Sequence, residues 1–346
     1  MKPLPSEDLE HVLAHTEQLW SRARGSEIFI SGGTGFFGVW LLESLAYCNR
    51  NLHLNVRATV LTRDPRSFIQ RMPHLAIEPC IRFLQGDIRD FDFPDQNFNY
   101  IVHAATPTAT EVASRPLELT SALVRGTEKA ISLARAKSVK SFLFVSSGAV
   151  YGPQPATRRH IPESYPGCPN GADPKAVYGE GKRTSEQMCT EFAKDSGTQV
   201  SIARCFTFVG PHLPLHQHFA IGNFIADALA GRNIAVRGDG TPMRSYLYTA
   251  DLVIWLWTML FRDTPAETNP LVLNVGSGDA ISIRALAQEV IDELNPTLKI
   301  EVGKAPEPGQ QLVQYVPNVR EAEVALGLKQ YIGLREAIRR TANWYR

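Results

Sequence analysis

The sequence predicts an α/β protein built on a doubly wound parallel sheet with a smaller mixed α/β lobe, and three observations carry that expectation. An apolar strand near the N-terminus runs straight into a glycine turn and a helix. Strand and helix signals then alternate through roughly the first two hundred residues, the pattern that places helices on both faces of a parallel sheet. The second half changes to a mixed order in which helices and short strands are interleaved with Pro-rich and His-rich stretches.

Composition sets the outer limits. The 346 residues are 44% hydrophobic and 21% charged, the balance of a globular chain with one or two cores and not that of a disordered or collagen-like one. Thirty-six Lys and Arg against 35 Asp and Glu give a net charge of +1, so no chain-wide attraction for nucleic acid is expected. The richest apolar stretch, 252–261, is half of what a membrane-spanning helix needs, and the opening Met-Lys-Pro-Leu-Pro-Ser-Glu-Asp is not a signal peptide, so no membrane contact and a cytoplasmic location are expected. Cys48, Cys80, Cys168, Cys189 and Cys205 are scattered without a CxxC pair, which fits reduced thiols better than a disulfide framework or a zinc site.

Residues 5–24 carry Leu9, Val12, Leu13, Leu19 and Trp20 at helical spacing, with Ser6 as the expected N-cap and Gly25 as a stop. Ile28-Phe29-Ile30, then Ser31-Gly32-Gly33-Thr34-Gly35-Phe36-Phe37-Gly38, then the apolar run 39–45 read as strand, glycine turn and helix. Further strands are expected at 58–61, 81–84, 100–103, 141–145 and 200–203, separated by segments long enough for crossover helices, with helices at 117–137 and 182–195. The Pro-rich piece 152–174 reads as a long loop, of the kind that is usually a lid or a binding element. Beyond it, helices are expected at 221–230, 282–294 and 334–344 and strands at 271–275 and 299–302; the run Trp255 to Phe261 reads as a buried helix.

The strongest chemical signal is the G-x-x-G-x-x-G of Gly32, Gly35 and Gly38. A turn of that composition lets backbone approach a pyrophosphate, and the helix beginning at Phe36 and Phe37 offers free N–H groups and a positive dipole end. The second strand ends Val60-Leu61-Thr62-Arg63-Asp64, so Thr62 stands where an acidic residue would meet the ribose of NAD, and Arg63 beside it suits the 2′-phosphate of NADP. The cofactor is therefore expected to be NAD or NADP, with tightly bound NAD slightly preferred on mechanism. Asp87 and the N–H of Ile88 follow the third strand, where they can meet the adenine or simply close a turn. Tyr178 and Lys182 are four residues apart on one helix face, so the ammonium is expected to favour the phenolate, lower the Tyr pKa and make a base. Ser146-Ser147-Gly148-Ala149-Val150-Tyr151-Gly152 follows an apolar strand, placing Ser147 at the carboxyl edge where such sheets bind ligands. His212, His216 and His218 lack carboxylate or Cys company and read as surface residues, and no metal is expected.

These pieces together resemble the extended short-chain dehydrogenase/reductases, specifically the nucleotide-sugar epimerase/dehydratase group with its Rossmann-type sheet. Gly32, Gly35 and Gly38, Gly86-Asp87, His103-Ala104-Ala105, Gly126-Thr127, Ser146 to Gly152, Tyr178/Lys182, Arg204 to Gly210-Pro211, Gly238 to Thr241, Arg244 to Asp251, Asn274-Val275-Gly276 and Leu326-Gly327-Leu328 occur in the family's order, from Ile28 nearly to the end. The resemblance implies that Ser147 hydrogen-bonds the reacting sugar oxygen, that Tyr178 is the base and that Lys182 binds ribose. It also implies cofactor contacts at Ala104 and Ala105, a nucleoside diphosphate held by Asn223 and Arg244, substrate contacts near Gly148 and Thr207, and a homodimer through two helices. The implied division is a helical extension over 1–25, a dinucleotide-binding part over 26–206 and 245–275, and a substrate lobe over 207–244 and 276–346.

The departures bear on the reaction. Gly148 and Ala149 stand where dehydratases carry an acid–base Asp-Glu pair, and Ala149 stands where decarboxylases carry Glu. Thr207 replaces a frequent Asn, and Gln310 and Gln311 stand where Arg often holds phosphate. The expected activity is epimerisation of a nucleoside-diphosphate sugar through a transient 4-keto sugar. The alternatives are an NADPH-dependent 4-keto-sugar reductase, a 4,6-dehydratase using Glu180 or Glu163, and a non-catalytic dinucleotide sensor.

Overall fold

The computed structural model describes residues 1–106, 116–217, 219–263, 269–307 and 309–346. In chain order the first elements are α1 (Ser6–Thr16), β1 (Glu27–Ser31), α2 (Phe36–Leu52), β2 (Arg57–Thr62), α3 (Pro65–Arg71), α4 (Pro73–Ala76), β3 (Ile81–Gln85) and β4 (Tyr100–His103). Then come α5 (Pro116–Lys137), β5 (Ser141–Ser147), α6 (Val177–Ser196), β6 (Gln199–Cys205), β7 (Phe208–Val209), α7 (Ala220–Leu229), β8 (Ile234–Val236), β9 (Met243–Arg244) and β10 (Leu247–Tyr248). The chain closes with α8 (Thr249–Leu260), β11 (Leu271–Val275), β12 (Ile281–Ser282), α9 (Ile283–Leu294), β13 (Ile300–Val302), β14 (Gln314–Tyr315), α10 (Arg320–Leu326) and α11 (Leu334–Tyr345). It falls into two compact units: Met1–Gly152, Cys168–Cys205 and Val253–Leu273 form the first, and Pro153–Gly167, Phe206–Leu252 and Asn274–Arg346 form the second.

The first unit is organised by the seven-stranded sheet, in the order β11-β6-β5-β4-β1-β2-β3. The pairs β1/β2, β1/β4, β2/β3, β4/β5 and β5/β6 are all parallel, with Ile30 opposite both Val60 and Val102 and Phe144 opposite both His103 and Ile202. Every residue of β4 and β5 is buried, as a central parallel strand covered on both faces requires. The strand order reverses between β1 and β4, and at this point the carboxyl edge opens a crevice for a ligand. All five strands expected downstream of the glycine turn in this sheet are present, and the apolar run from Trp255 lies buried in α8.

One expectation of this unit fails. No helix crosses from β3 to β4; residues 86–99 turn instead. The stretch Asp90-Phe91-Asp92-Phe93-Pro94-Asp95 contains a proline and poor helix formers, and Phe91 and Phe98 gain more by packing on Phe29, with ring centroids 5.4 and 5.3 Å away.

The N-terminal extension is part of this core. Pro5, not Ser6, takes the N-cap position of α1, its carbonyl accepting from the N–H groups of Asp8 and Leu9 at 3.1 and 3.3 Å. The α-helix stops at Thr16, whose hydroxyl donates to Val12 and accepts from the Trp20 indole at 3.0 Å, and a 3-10 helix follows over Glu17–Ala23. Trp20 is fully buried, 5.0 Å from the Trp257 ring and 5.2 Å from Phe261, and Arg22 Nη1 donates to the Phe261 carbonyl at 2.7 Å.

The second unit is assembled from short ladders: β7 with β10, β8 with β13, and β12-β9-β14. Strands of two residues carry no periodicity, which is why β7, β9, β10, β12 and β14 escape sequence inspection. Ser282 caps α9 by accepting from Ala285 N at 3.1 Å. The loop over 153–167 belongs here and not with the nucleotide-binding half, as do residues 245–252. Gln154 Oε1 accepts from Val316 N at 2.9 Å, and Asn274 Nδ2 donates to the carbonyls of Ile161 and Asn318 at 2.9 and 3.0 Å. Contrary to the expectation of a surface residue, His212 is buried, its ring 4.4 Å from Trp344; His216 is exposed, and His218 lies outside the described residues.

Replacing Trp20 by Ala removes the centre of the Trp20–Trp257–Phe261 cluster and is expected to lower unfolding stability by about 3–5 kcal/mol. Urea titration followed by far-UV circular dichroism checks it; a loss under 1 kcal/mol would show the extension to be an appendage.

Candidate active site

The glycine turn is shaped by what it touches. Gly32 has φ +79°, a left-handed conformation that side chains resist, and a Cβ there would lie 2.5 Å from the Ala104 carbonyl and 2.6 Å from Ala105 N. Gly38 packs its Cα face on Gly33, 2.4 Å from where a Cβ would be. Gly35 differs. Its backbone is extended, and a Cβ would meet only the Gly32 carbonyl oxygen, at 3.5 Å. The N-terminus of α2 begins at Phe36 and has no side-chain cap, and the positive end of the helix dipole lies there. Open room over Gly35 and uncapped N–H groups fit the pyrophosphate of a dinucleotide.

Thr62 is buried at the end of β2, and Arg63 is exposed just beyond it. The nearest carboxylate, Asp64, accepts from Ser67 N at 2.9 Å and so caps α3. Asp87 closes its own turn, accepting from Arg89 N at 3.0 Å and from the Arg89 side chain at 2.8 Å through each oxygen; that guanidinium holds its carboxyl below the usual range. Ile88 packs against Gly126.

The candidate reacting groups, Ser147, Tyr178 and Lys182, stand where β5 meets α6. Ser147 ends β5, accepts from Ala149 N at 3.2 Å, and its hydroxyl hydrogen-bonds the Tyr178 phenol oxygen. Lys182 is buried. Its Nζ donates to the Val145 carbonyl at 2.7 Å and lies 4.8 Å from the centre of the Phe144 ring. Gly179 lets the first turn of α6 come close to the Gly148–Tyr151 turn, since a Cβ there would sit 2.6 Å from the Ala149 carbonyl oxygen.

The expected depression of the Tyr178 pKa is not present in this structure. Burial pushes it up, from the ordinary 10 to about 12, against the lowering effect of the Ser147 hydrogen bond. Burial also pulls Lys182 down to about 8, with Cys205, Glu186 and Cys189 acting in the opposite sense.

Two sets of residues around this centre receive no role from the sequence, although His103 and Arg204 stand in the matched motifs. His103 is fully enclosed between Ser31 Oγ at 2.7 Å and Thr127 Oγ1 at 3.2 Å, and burial lowers its pKa to about 3, leaving it neutral. Glu186 accepts from Ser146 Oγ at 2.6 Å and from Arg204 Nη2 at 2.7 Å, while Arg204 Nη1 donates to the Tyr151 hydroxyl at 2.9 Å. A signal existed for Glu186: Tyr178, Lys182 and Glu186 recur at four-residue steps on one helix face.

Asn223, Arg244 and Thr207 belong to the second unit. Asn223 is half-buried on α7. Arg244 Nη1 donates to the carbonyl of Met243 at 2.8 Å, with its guanidinium 6.0 Å from the centre of the Tyr315 ring. The Thr207 hydroxyl donates to the Ser245 carbonyl.

Comparison with known proteins gives this geometry its family. The profile described as "NAD dependent epimerase/dehydratase family" matches residues 28–276. The chain belongs to that family. It is an enzyme of the extended short-chain dehydrogenase/reductase type, as the resemblance of its motifs implies. UDP-glucuronic acid decarboxylase 5 of Arabidopsis thaliana is 28% identical over 313 residues, covering 90% of this chain and 86% of its own length. Two solved structures share the fold. UDP-glucose 4-epimerase of Thermotoga maritima superposes with TM-score 0.77 at 20% identity, covering 92% of this chain and 98% of that one. dTDP-glucose 4,6-dehydratase of Bacillus anthracis does so with TM-score 0.73 at 17% identity, covering 92% and 96%. Among the described residues no helix is long and apolar enough to cross a membrane, and no group of three His, Cys, Asp or Glu converges on a metal position.

The cradle predicts a contrast between two glycines. Gly35→Ala is expected to fold normally while weakening NAD(P) binding at least tenfold, about 1.4 kcal/mol, whereas Gly38→Ala is expected to destabilise the fold; calorimetric titration and thermal melts separate the two. The phenol gives a second prediction. Because its pKa is raised, the 295 nm phenolate signal of wild type minus Tyr178→Phe in dinucleotide-free protein should be missing near pH 10 and grow toward pH 12. A midpoint below 10 would refute the burial argument.

Proposed function

We propose that this enzyme epimerises a nucleoside-diphosphate sugar through a transient 4-keto sugar. The observation that carries the reading is the pairing of an intact Ser147–Tyr178–Lys182 centre with the small Gly148 and Ala149 beside it, which leave space for a keto sugar to turn and supply no further acid or base. Relatives in this family are named for decarboxylation, 4-epimerisation and 4,6-dehydration. The Glu expected of a decarboxylase is Ala149 here, and one alternative acid of a dehydratase, Glu163, accepts from Asn274 N at 2.8 Å.

When bound, NAD(P) would supply a reversible hydride acceptor for the sugar carbon. The chain does the rest. Ser147 orients the sugar hydroxyl, and Tyr178 in its phenolate form receives the hydroxyl proton. Loss of that proton from oxygen and of a hydride from carbon would give the 4-keto sugar, and the phenol thus formed returns the proton after the sugar has presented its other face. A phenol held near 12 is a strong base but is seldom ionised at neutral pH, so the enzyme needs positive charge nearby. The Lys182 ammonium and an oxidised nicotinamide ring both act in that direction. Lys182 and the Gly32–Gly38 turn are the residues that would hold the dinucleotide. Asn223, Arg244 and Thr207 are proposed substrate contacts, and a homodimer through α5 and α6 completes the reading.

A second reading, NADPH-dependent reduction of a 4-keto sugar, is favoured by one observation. Asp64 is engaged in capping α3, which leaves Thr62 and Arg63 as the residues at the end of β2 that would meet the ribose.

The test is a panel of UDP-, dTDP-, GDP- and CDP-sugars, with and without NAD(P)H, read by mass spectrometry and chromatography. An isobaric product formed without net change of cofactor, with the rate reduced about 10²–10⁴-fold in Tyr178→Phe, is the expected outcome. Loss of water or of carbon dioxide overturns it, and stoichiometric consumption of NADPH replaces it by the second reading.

A further inference from the structure

The buried pair of Glu186 and Arg204 has no part so far in holding sugar or dinucleotide, yet it is built into the same strand end as Ser147. We propose that Glu186 is a positioning residue of the reaction: its carboxylate fastens the end of β5 that carries Ser147 and is the counter-ion of Lys182 one helical turn away.

The geometry is a three-point lacing of one strand to one helix. Consecutive residues of β5 meet residues of α6 spaced by four: Val145 O receives the Lys182 ammonium at 2.7 Å, Ser146 Oγ donates to Glu186 Oε1 at 2.6 Å, and Ser147 hydrogen-bonds Tyr178. Arg204, opposite Ser146 in the β5/β6 register, donates through Nε to both Glu186 oxygens at 3.1 Å and through Nη2 to Oε2 at 2.7 Å. Its other nitrogen reaches the Tyr151 hydroxyl, and its guanidinium lies 4.8 Å from the centre of the Tyr151 ring. The carboxylate is thus held at both oxygens, and Ser147 follows directly on the tethered Ser146.

The charge argument follows from what surrounds Lys182. On α6 it faces Glu186 and Cys189, with Tyr178 one turn before it; from β6 comes Cys205, with Arg204 beyond Glu186; from β4 comes His103; α5 brings the uncharged Leu123 and Thr127 to this layer; and β5 offers a carbonyl and the Phe144 ring. Burial keeps Cys205 a thiol up to about 12, pushes the Cys189 thiol up as well, and leaves His103 neutral. Near neutral pH the negative charge that holds Lys182 as an ammonium, against its own burial, comes from Glu186. Arg204 tempers that charge, so the two partners should move Lys182 in opposite directions.

The inference rests on the reading of Tyr178 and Lys182 as reacting groups, but its test needs neither substrate nor dinucleotide. Protein labelled with 13Cε-lysine is titrated by NMR in the cofactor-free state, with the Lys182 resonance assigned through Lys182→Arg. Glu186→Gln keeps the shape but removes the charge and turns one of the two accepting oxygens into an NH2; the Lys182 midpoint should fall by about one pH unit. Arg204→Gln should raise it, and Ser146→Ala, which cuts the tether and alters no charge, should leave it in place. Unchanged midpoints in Glu186→Gln and Arg204→Gln, or shifts of the same sign, overturn the proposal. If the isosteric variants do not fold, Arg204→Lys, which preserves the charge, must keep the wild-type midpoint, and a shift there overturns it equally. In the sugar assay, Glu186→Gln should lose its rate on the alkaline side first, at lower pH than wild type. An inactive wild type alongside the opposed NMR shifts would refute the epimerase reading and leave the counter-ion role standing.

Discussion

The site depends on how the end of β5 is fastened to one face of α6. A parallel strand delivers side chains to alternate faces, so Ser147 alone says little about where its hydroxyl points. The helix fixes that direction by meeting Val145, Ser146 and Ser147 with Lys182, Glu186 and Tyr178. Part of this lacing is a buried ion pair, whose charges lose hydration that their attraction only partly restores. Breaking such a pair at one end typically costs about 3–5 kcal/mol, whereas an apolar replacement of both ends is often neutral. A charged pair in this place thus has to be justified by orientation and by electric field, not by stability.

The same low dielectric explains the state of the reacting groups. Tyr178 and Lys182 are both driven toward their neutral forms, the phenol to about 12 and the amine to about 8. The resting protein is therefore poised: near neutral pH Lys182 is still mostly an ammonium, while Tyr178 becomes an anion only in the company of further positive charge. Positive charge carried in by a ligand shifts that balance directly. Coupling of this kind keeps a strong base from forming before the reacting molecule is in place.

Much of the scaffold was legible from sequence because it repeats. Strands of five to seven residues with continuous burial, such as β1, β2, β5 and β6, leave apolar runs between turn signals, and Gly32, Gly35 and Gly38 stand at a spacing that few other structures need. The Tyr178/Lys182 spacing is common by itself and stands out as a candidate only in the company of Ser147 at the end of an apolar strand. What was not legible depends on neighbours distant in sequence. Asp64 reads equally well as a ribose ligand or a helix cap until Ser67 N is seen 2.9 Å away. Glu186 looks like any helix glutamate, because Arg204 and Ser146 reach it from two different strands. The sign of the Tyr178 shift was misread because spacing reveals a nearby cation but not the depth of burial that opposes it.

The N-terminal segment has a consequence for how the chain is made. Arg22 bonds the Phe261 carbonyl across 239 residues of sequence, and Trp20 stacks in the same cluster. The earlier of the two segments must wait, with its largest apolar ring unpaired, until the 239 residues that separate Arg22 from Phe261 have been made. Such long-range closure slows assembly and leaves an apolar surface open to misassociation during synthesis. Completion of the nucleotide-binding unit is thus a late event in the life of the nascent chain, and its glycine turn can be formed well before the unit that contains it is closed.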